Sequence, residues 1–288
     1  MQAVIFLLCT IGFVGIVGQL RADDGKCGYF DEVQMHKQDS FAVPTEHQWL
    51  ARIAYSDNNH QVPTGGCMAV LISKRSLLAP AHCFVRFESK PEAFSVHLGV
   101  WNKTADVNQP TCLNGYCVLP AQEIKLAEIS IHPEYDPLTF KNSLAVLTLQ
   151  KDAKLTANVQ PVCMPPPSVA NDTLVGQMFM LAGIPVNKVL KNKSWVKTVS
   201  TPWCQSKHNS LLTSSTMVCG YLQQSELYHL GAPIVAVQVE GDLPKNFYLV
   251  GLQMDVLRVP NTQRYVASFL DVRPYLEYIN NNAIFDLK

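Results

Sequence analysis

Residues 67–84 constrain the fold more tightly than any other stretch. Cys67 precedes an apolar run, Met68 to Ile72. A second apolar run, Leu77-Leu78-Ala79, leads into Pro80-Ala81-His82-Cys83-Phe84. Between them lies the polar turn Ser73-Lys74-Arg75-Ser76. Two short apolar strands about a polar turn form a hairpin, and the hairpin brings Cys67 back near Cys83. His82 then sits at the end of a well-anchored strand. Its use depends on its partners, because a catalytic constellation is defined by geometry and roles rather than by one member.

The chain of 288 residues is 48% hydrophobic and 16% charged, enough to fill one large core or two small ones. Its 23 basic and 23 acidic residues balance, and no basic block of five or more occurs. Nucleic acid is therefore not an expected partner. Ala3 to Val17 is an apolar run broken by Cys9, Thr10 and two glycines. It reads as a secretory signal spanning 1–22, with cleavage after Gly18 or Ala22. No later stretch of 18 apolar residues follows, so no membrane span is expected. Of nine cysteines, Cys9 leaves with the signal. The even number that remains reads as a disulfide framework in a secreted, oxidising setting. Sequons at Asn102, Asn171 and Asn192 are candidate glycosylation sites.

Residues 23–48 are polar and poorly periodic and read as an N-terminal arm. Trp49 to Tyr55 and Phe94 to Trp101 alternate as half-buried strands do. Cys112 and Cys117 bracket an Asn-Gly turn, which suggests a small staple. A metal site there is disfavoured, because no second Cys/His pair of ligand spacing stands nearby. Leu144 to Leu149, Gln177 to Gly183, Ile234 to Val237 and Phe247 to Leu252 are further strand candidates. Val272, Tyr275, Leu276 and Ile279 share one helical face. Many short strands with turns between them and one closing helix argue an all-β barrel or sandwich.

Gly65-Gly66-Cys67 and Ala81-His82-Cys83 resemble the signature of the trypsin/chymotrypsin-like serine proteases, with His82 at the catalytic histidine. The likeness runs over about residues 27–285. It implies two six-stranded antiparallel barrels with a cleft between them, followed by a C-terminal helix, in a protease-like domain over 49–288. Cys27-Gly28 resembles the tethered pro-segment of arthropod clip-type proteases, although no clip domain fits between a cut near Ala22 and Cys27. The family pattern implies the disulfides Cys27–Cys163, Cys67–Cys83, Cys112–Cys117 and Cys204–Cys219.

Where that family carries its chemistry, this chain departs from it. The orienting aspartate is matched by Ser143, at the head of Ser143-Leu144-Ala145-Val146-Leu147. The family's Gly-Asp-Ser-Gly-Gly-Pro is matched by Tyr228-His229-Leu230-Gly231-Ala232-Pro233, which sets Leu230 on the nucleophile. Tyr228 stands at the oxyanion-hole glycine and is expected to obstruct the backbone there. His229 replaces the aspartate that pairs with a new N-terminus, and no Arg-Ile-Val-Gly-Gly junction is present; Lys37-Gln38 lies near where the cut would fall. Gln224 stands at the specificity-pocket aspartate, Glu226 replaces a pocket cysteine, and Met254-Asp255-Val256 replaces the substrate-binding Ser-Trp-Gly. His82 is expected to serve a structural role, hydrogen-bonded to Ser143.

The resemblance thus implies a secreted, non-catalytic homologue that needs no cofactor or metal. It would act by binding extracellular proteases, zymogens or inhibitors in an immune or melanisation cascade. A reproductive protein of the same kind and an active endopeptidase are the alternatives.

Overall fold

The computed structural model describes residues 27–37, 40–55, 66–113, 115–223 and 226–285. The expected signal segment over 1–22, Gln38 and Gln224 lie outside the described residues.

The described part of the arm starts at Cys27, which is bonded to Cys163. Gly28 N–H donates to Pro161 O at 2.7 Å, and Phe247 N–H donates back to Gly28 O at 2.7 Å. One helical turn follows, α1 (Glu32–Met35), with Asp31 Oδ1 accepting from Gln34 N–H at 3.2 Å. A single turn is far too short to persist alone. The disulfide and its docking hold it.

The first barrel contains β1 (Leu50–Tyr55), β2 (Met68–Leu71), β3 (Ser76–Ala79) and β4 (Phe94–Leu98). After a separate hairpin, β5 (Thr111–Leu113) and β6 (Tyr116–Val118), it is completed by β7 (Gln122–Ile131) and β8 (Ala145–Leu149). The closed order is β1-β2-β3-β8-β7-β4. The second barrel contains β9 (Met178–Gly183), β10 (Asn192–Val199), β11 (Met217–Leu222), β12 (Pro233–Glu240), β13 (Leu243–Arg258) and β14 (Tyr265–Asp271), closed as β10-β11-β14-β13-β12-β9. Both barrels are antiparallel, and closure leaves no long exposed edge. A helix, α2 (Thr201–Lys207), links β10 to β11.

Leu71, Leu77, Leu78, Leu98 and Leu147 in the first barrel are completely buried, as are Leu181, Leu222, Ile234, Leu252 and Phe269 in the second. Each such side chain contributes about 1.5–3 kcal/mol. The closing segment starts with a 3-10 turn, Arg273–Tyr275, and continues as α3 (Leu276–Asn282). It crosses to the first barrel, where Tyr275 Oη donates to Asn142 Oδ1 at 2.8 Å and Tyr278 Oη to Ser130 O at 2.7 Å. The two barrels are thereby clamped at their rear.

All four disulfides implied by the family pattern are formed. Cys112 and Cys117 face each other across the β5–β6 pair. The sequons divide. Asn171 is exposed and Asn102 half-buried. Asn192 is a correction: it is buried on β10, and its Nδ2 donates to Glu226 Oε1 at 3.0 Å. A glycan attached there has no path to solvent in the folded protein.

Candidate functional site

His82 lies in a 3-10 turn, Ala81–Cys83, entered through Pro80. The Cys67–Cys83 bond fixes the turn to β2, and Ala81 N–H donates to Ser143 O at 3.3 Å. Ser143, just before β8, is fully buried. Its Oγ lies 3.1 Å from His82 Nδ1 and accepts from His82 N–H at 3.4 Å. The ring of Phe140 packs edge-on against the imidazole, with centroids 4.9 Å apart. Among the described residues, His82 Nε2 has no hydrogen-bond partner. Burial pulls the His82 pKa down to about 4. The imidazole is therefore neutral at physiological pH, and Ser143 offers it no charge.

The loop that carries Leu230 is pressed against this hairpin. Met68 N–H donates to Leu230 O at 2.8 Å. Gly231 has φ +83°, and a Cβ there would fall 2.1 Å from Met68 O and 2.9 Å from Pro80 Cδ. Only glycine fits that conformation so near another backbone. Gly231 N–H donates to Gln253 O at 2.7 Å, and Gln253 Nε2 donates to Tyr228 O at 3.0 Å. The fold thus assembles His82, Ser143 and the Leu230 loop in one place. Leucine has no heteroatom and cannot make a covalent intermediate. Cys67, His82 and Cys83 also bring ligand-type atoms within 4.8 Å of one another. Both sulfurs belong to the disulfide, however, and a metal needs thiolate.

Tyr228 corrects the sequence-based expectation. Its ring does not obstruct the cleft backbone; it is turned into the interior and is 1% exposed. Space for it exists because residue 183 is glycine, where a Cβ would already stand 3.0 Å from the Tyr228 ring. Tyr228 Oη donates to Glu226 Oε2 at 2.9 Å, and Lys188 Nζ lies 3.9 Å from Glu226 Oε1. Burial first, then the Glu226 carboxylate, pushes the Tyr228 hydroxyl well above the ordinary tyrosine range. Glu226 therefore organises a buried Tyr-Glu-Asn network.

His229 is half-buried. Burial, then the nearby Lys103 and Arg52 charges, lowers its pKa. A neutral imidazole among cations is the opposite of an ammonium acceptor. Met254 is buried, and Asp255 turns its carboxylate inward, accepting from Leu212 N–H at 2.9 Å and from Val256 N–H at 2.8 Å. These groups stabilise a loop rather than present a side chain to a substrate.

A second polar cluster was not anticipated from sequence. Lys193, 5% exposed, pairs with Glu46 Oε1 at 2.6 Å and donates to Gln34 O at 2.7 Å. Lys191, 3% exposed, donates to Pro44 O at 2.8 Å and to Glu46 O. Burial lowers the Lys191 pKa to about 7. His47 is packed against Trp49 and Phe247, with both ring nitrogens unpartnered among the described residues. Burial and then the two lysines hold its pKa well below the usual histidine value. This cluster fastens the arm to the second barrel. The sequence signal was weak: Lys193 and Trp195 alternate on β10 with Lys191 just before it, which does not say what covers them.

The trypsin family model matches residues 38–228, more than half of the chain. The chain belongs to the trypsin family. The matched region contains His82 and Ser143 and stops just before the Leu230 position. Phenoloxidase-activating factor 3 of Holotrichia diomphalia is 25% identical over 91% of this chain and 76% of its own length. Melanization protease 1 of Drosophila melanogaster is 25% identical over 83% of this chain and 63% of its own length. Serine protease 7 of the same organism is 27% identical over 58% of this chain and 43% of its own length. Apart from the first, the chain spans less than two thirds of these relatives. The crystal structure of the Drosophila Grass clip serine protease of the Toll pathway superposes with a TM-score of 0.75, at 16% identity, over 93% of this chain and 78% of that one. That likeness carries the two-barrel fold. Among the described residues, no helix is long and apolar enough to cross a membrane.

Proposed function

We propose that the protein is a secreted pseudo-protease that works by binding, as a cofactor, scaffold or decoy for proteases or zymogens of an extracellular cascade. The observation that carries this reading is Leu230, an aliphatic side chain in the glycine-anchored loop beside His82. The neutral His82–Ser143 pair supports it, because loss of the orienting carboxylate alone lowers turnover by about four orders of magnitude. His229, with no carboxylate, supports a domain that does not depend on a cleaved N-terminus. The names of the relatives favour melanisation or immune proteolysis as the setting.

The test has two arms. Incubation with a fluorophosphonate probe should leave the purified protein unlabelled, and stoichiometric labelling would overturn the non-catalytic reading. Addition to a purified clip-type zymogen and its activating protease should change the rate of zymogen cleavage in proportion to the amount added. No change across such pairs would remove the cascade role.

A further inference from the structure

We propose that the outer face of the second barrel is a docking surface for an extended segment of a partner protein. That segment carries one bulky apolar residue followed, two to five residues later, by carboxylates. The proposal deepens the binding role above and rests on it.

The apolar half of the surface is a groove of about 460 Å³ between the arm, residues 165–174 and the barrel. Met35, Met178, Met180, Trp195, Val237 and Phe247 line it. Met178 is 46% and Trp195 37% exposed. Methionine and tryptophan are over-represented at protein contacts, and a groove of this size has room for a large apolar side chain and its neighbours. The far wall holds Arg273, whose guanidinium is already occupied by Asp271 and by the carbonyls of Val169 and Asp172. The exposed carboxylate of Asp172 also lines that wall, so this end of the groove repels an acidic segment and the carboxylates must lie at the other end, beyond Trp195. His82, Ser143, Tyr228, His229 and Leu230 are all absent from the lining, so the groove is separate from the old cleft.

The second half starts at Trp195. Two residues along β10, Lys197 is exposed and paired with Tyr221 on β11. The Tyr221 ring meets Trp203 of α2 edge-on at 5.5 Å. Lys207 lies over Trp203 at 4.9 Å and Arg264 over Tyr221 at 5.7 Å. Arg264 also donates to Gln223 O, and Gln223 N–H donates to Trp195 O. The groove and the cationic face are thus continuous. No aspartate or glutamate occurs in residues 173–223 or 256–270, the segments that build this face. Such a one-signed, aromatic-studded surface is complementary to carboxylates and steers their approach.

The spacing follows from strand geometry. Strands stand about 4.8 Å apart, so β10 to β14 spans roughly 10 Å. An extended segment advances about 3.3 Å per residue, so an anchor beside Trp195 puts carboxylates over Lys197 and Arg264 within two to five residues.

The test uses a dye-labelled twelve-residue peptide with one phenylalanine followed, at the second to fifth positions after it, by four glutamates, the rest being glycine and serine. Fluorescence polarisation with the full chain should saturate. Replacing the phenylalanine by alanine, or Trp195→Ala in the protein, should weaken binding about tenfold, and Lys197→Glu with Arg264→Glu should abolish it. These positions are exposed, so folding is preserved, which circular dichroism checks. Absence of saturable binding overturns the proposal. So does equal affinity for the Trp195→Ala protein. A heparin fragment that binds with no requirement for Trp195 would assign the face to polyanions instead, which also overturns it. The peptide can fail while the zymogen assay still responds, so this surface and the general binding role are tested separately.

Discussion

The cleft and the arm junction are both polar sites cut into an apolar body, and they are finished differently. In the cleft, His82 has one neutral partner and, among the described residues, an unpartnered Nε2, with the Leu230 loop packed alongside. At the arm junction, two buried lysines are met by a carboxylate and three backbone carbonyls. A buried cation is tolerated only when paired and hydrogen-bonded, because desolvation otherwise costs several kcal/mol. Removing one partner at the arm junction is therefore costly to folding, whereas removing the neutral partner of His82 costs little.

Cutting one partner from each region should expose that contrast most strongly. Lys193→Ala leaves Glu46 buried and unpaired and should destabilise the protein by about 3–5 kcal/mol. Ser143→Ala removes one neutral hydrogen bond and should cost about 1 kcal/mol. Denaturant titration of both variants measures the two values. The double change Lys193→Met with Glu46→Leu should recover most of the loss, as apolar replacement of buried pairs often does. If Lys193→Ala proves no worse than Ser143→Ala, the arm junction is not the stronger of the two.

Acid should strain both regions through their histidines. His47 and His82 have folded-state pKa values below the unfolded value of about 6.5. Between those values the unfolded chain binds more protons than the native one, so stability rises with pH in that window. It is fully present above about pH 6.5 and lost as pH falls, by up to about 1.4 kcal/mol per pH unit for each group. For His82 the loss continues down to about pH 4. His82→Asn should flatten one share of the slope and His47→Gln another. Unchanged slopes in both variants would show that other groups control acid unfolding.

The cleft could be read from sequence because its signals are local. The Cys67 to Cys83 hairpin, the Ser143 strand and the Gly231-Ala232-Pro233 anchor each lie within a few residues. The disulfide partners followed from the family pattern, as did the two barrels. Lys191-Asn192-Lys193-Ser194 was not legible, because four polar residues in a row look exposed and Asn192 looks like a glycan acceptor. Their burial depends on Glu46, 147 positions from Lys193, and on Glu226, 34 positions from Asn192. Likewise, nothing near Tyr228 in the sequence shows that Gly183 leaves room for its ring. Pairings of that range are products of barrel closure, which no local window contains.

Charging the cleft would bring it closer to the arm junction. Ser143→Asp puts a carboxylate at the atom now 3.1 Å from His82 Nδ1. An opposite charge at that distance favours the imidazolium. The His82 pKa should climb from about 4 by roughly two units or more, read from the imidazole proton resonances against pH. A value that stays near 4 would mean that burial, not the missing carboxylate, governs this histidine. The rise should occur without any fluorophosphonate labelling, since Leu230 is untouched.

The smallest effect should come from cutting the arm. Lys37 is exposed and lies just beyond α1, so trypsin can reach it. On the proposed reading His229 stands where an activated protease would hold a carboxylate for its new N-terminus, and burial with the nearby Lys103 and Arg52 lowers the His229 pKa. The cut peptide also stays attached. Cys27 is bonded to Cys163, and Lys193 Nζ still holds Gln34 O. Cleavage after Lys37 removes neither tether and creates no ion pair, so the Tm should shift by less than about 2 °C, less than 1 kcal/mol for a domain of this size. A larger rise, together with burial of the new amine measured by its resistance to acylation, would show that an activation switch survives. The comparison sharpens further when the same cut is made in Lys193→Ala. With that anchor gone, the arm is held by its disulfide, two backbone hydrogen bonds at Gly28 and the packing of Phe30 and Met35 on the core, and amide exchange over residues 31–37 should quicken after cleavage while the cleft residues 81–84 remain unchanged.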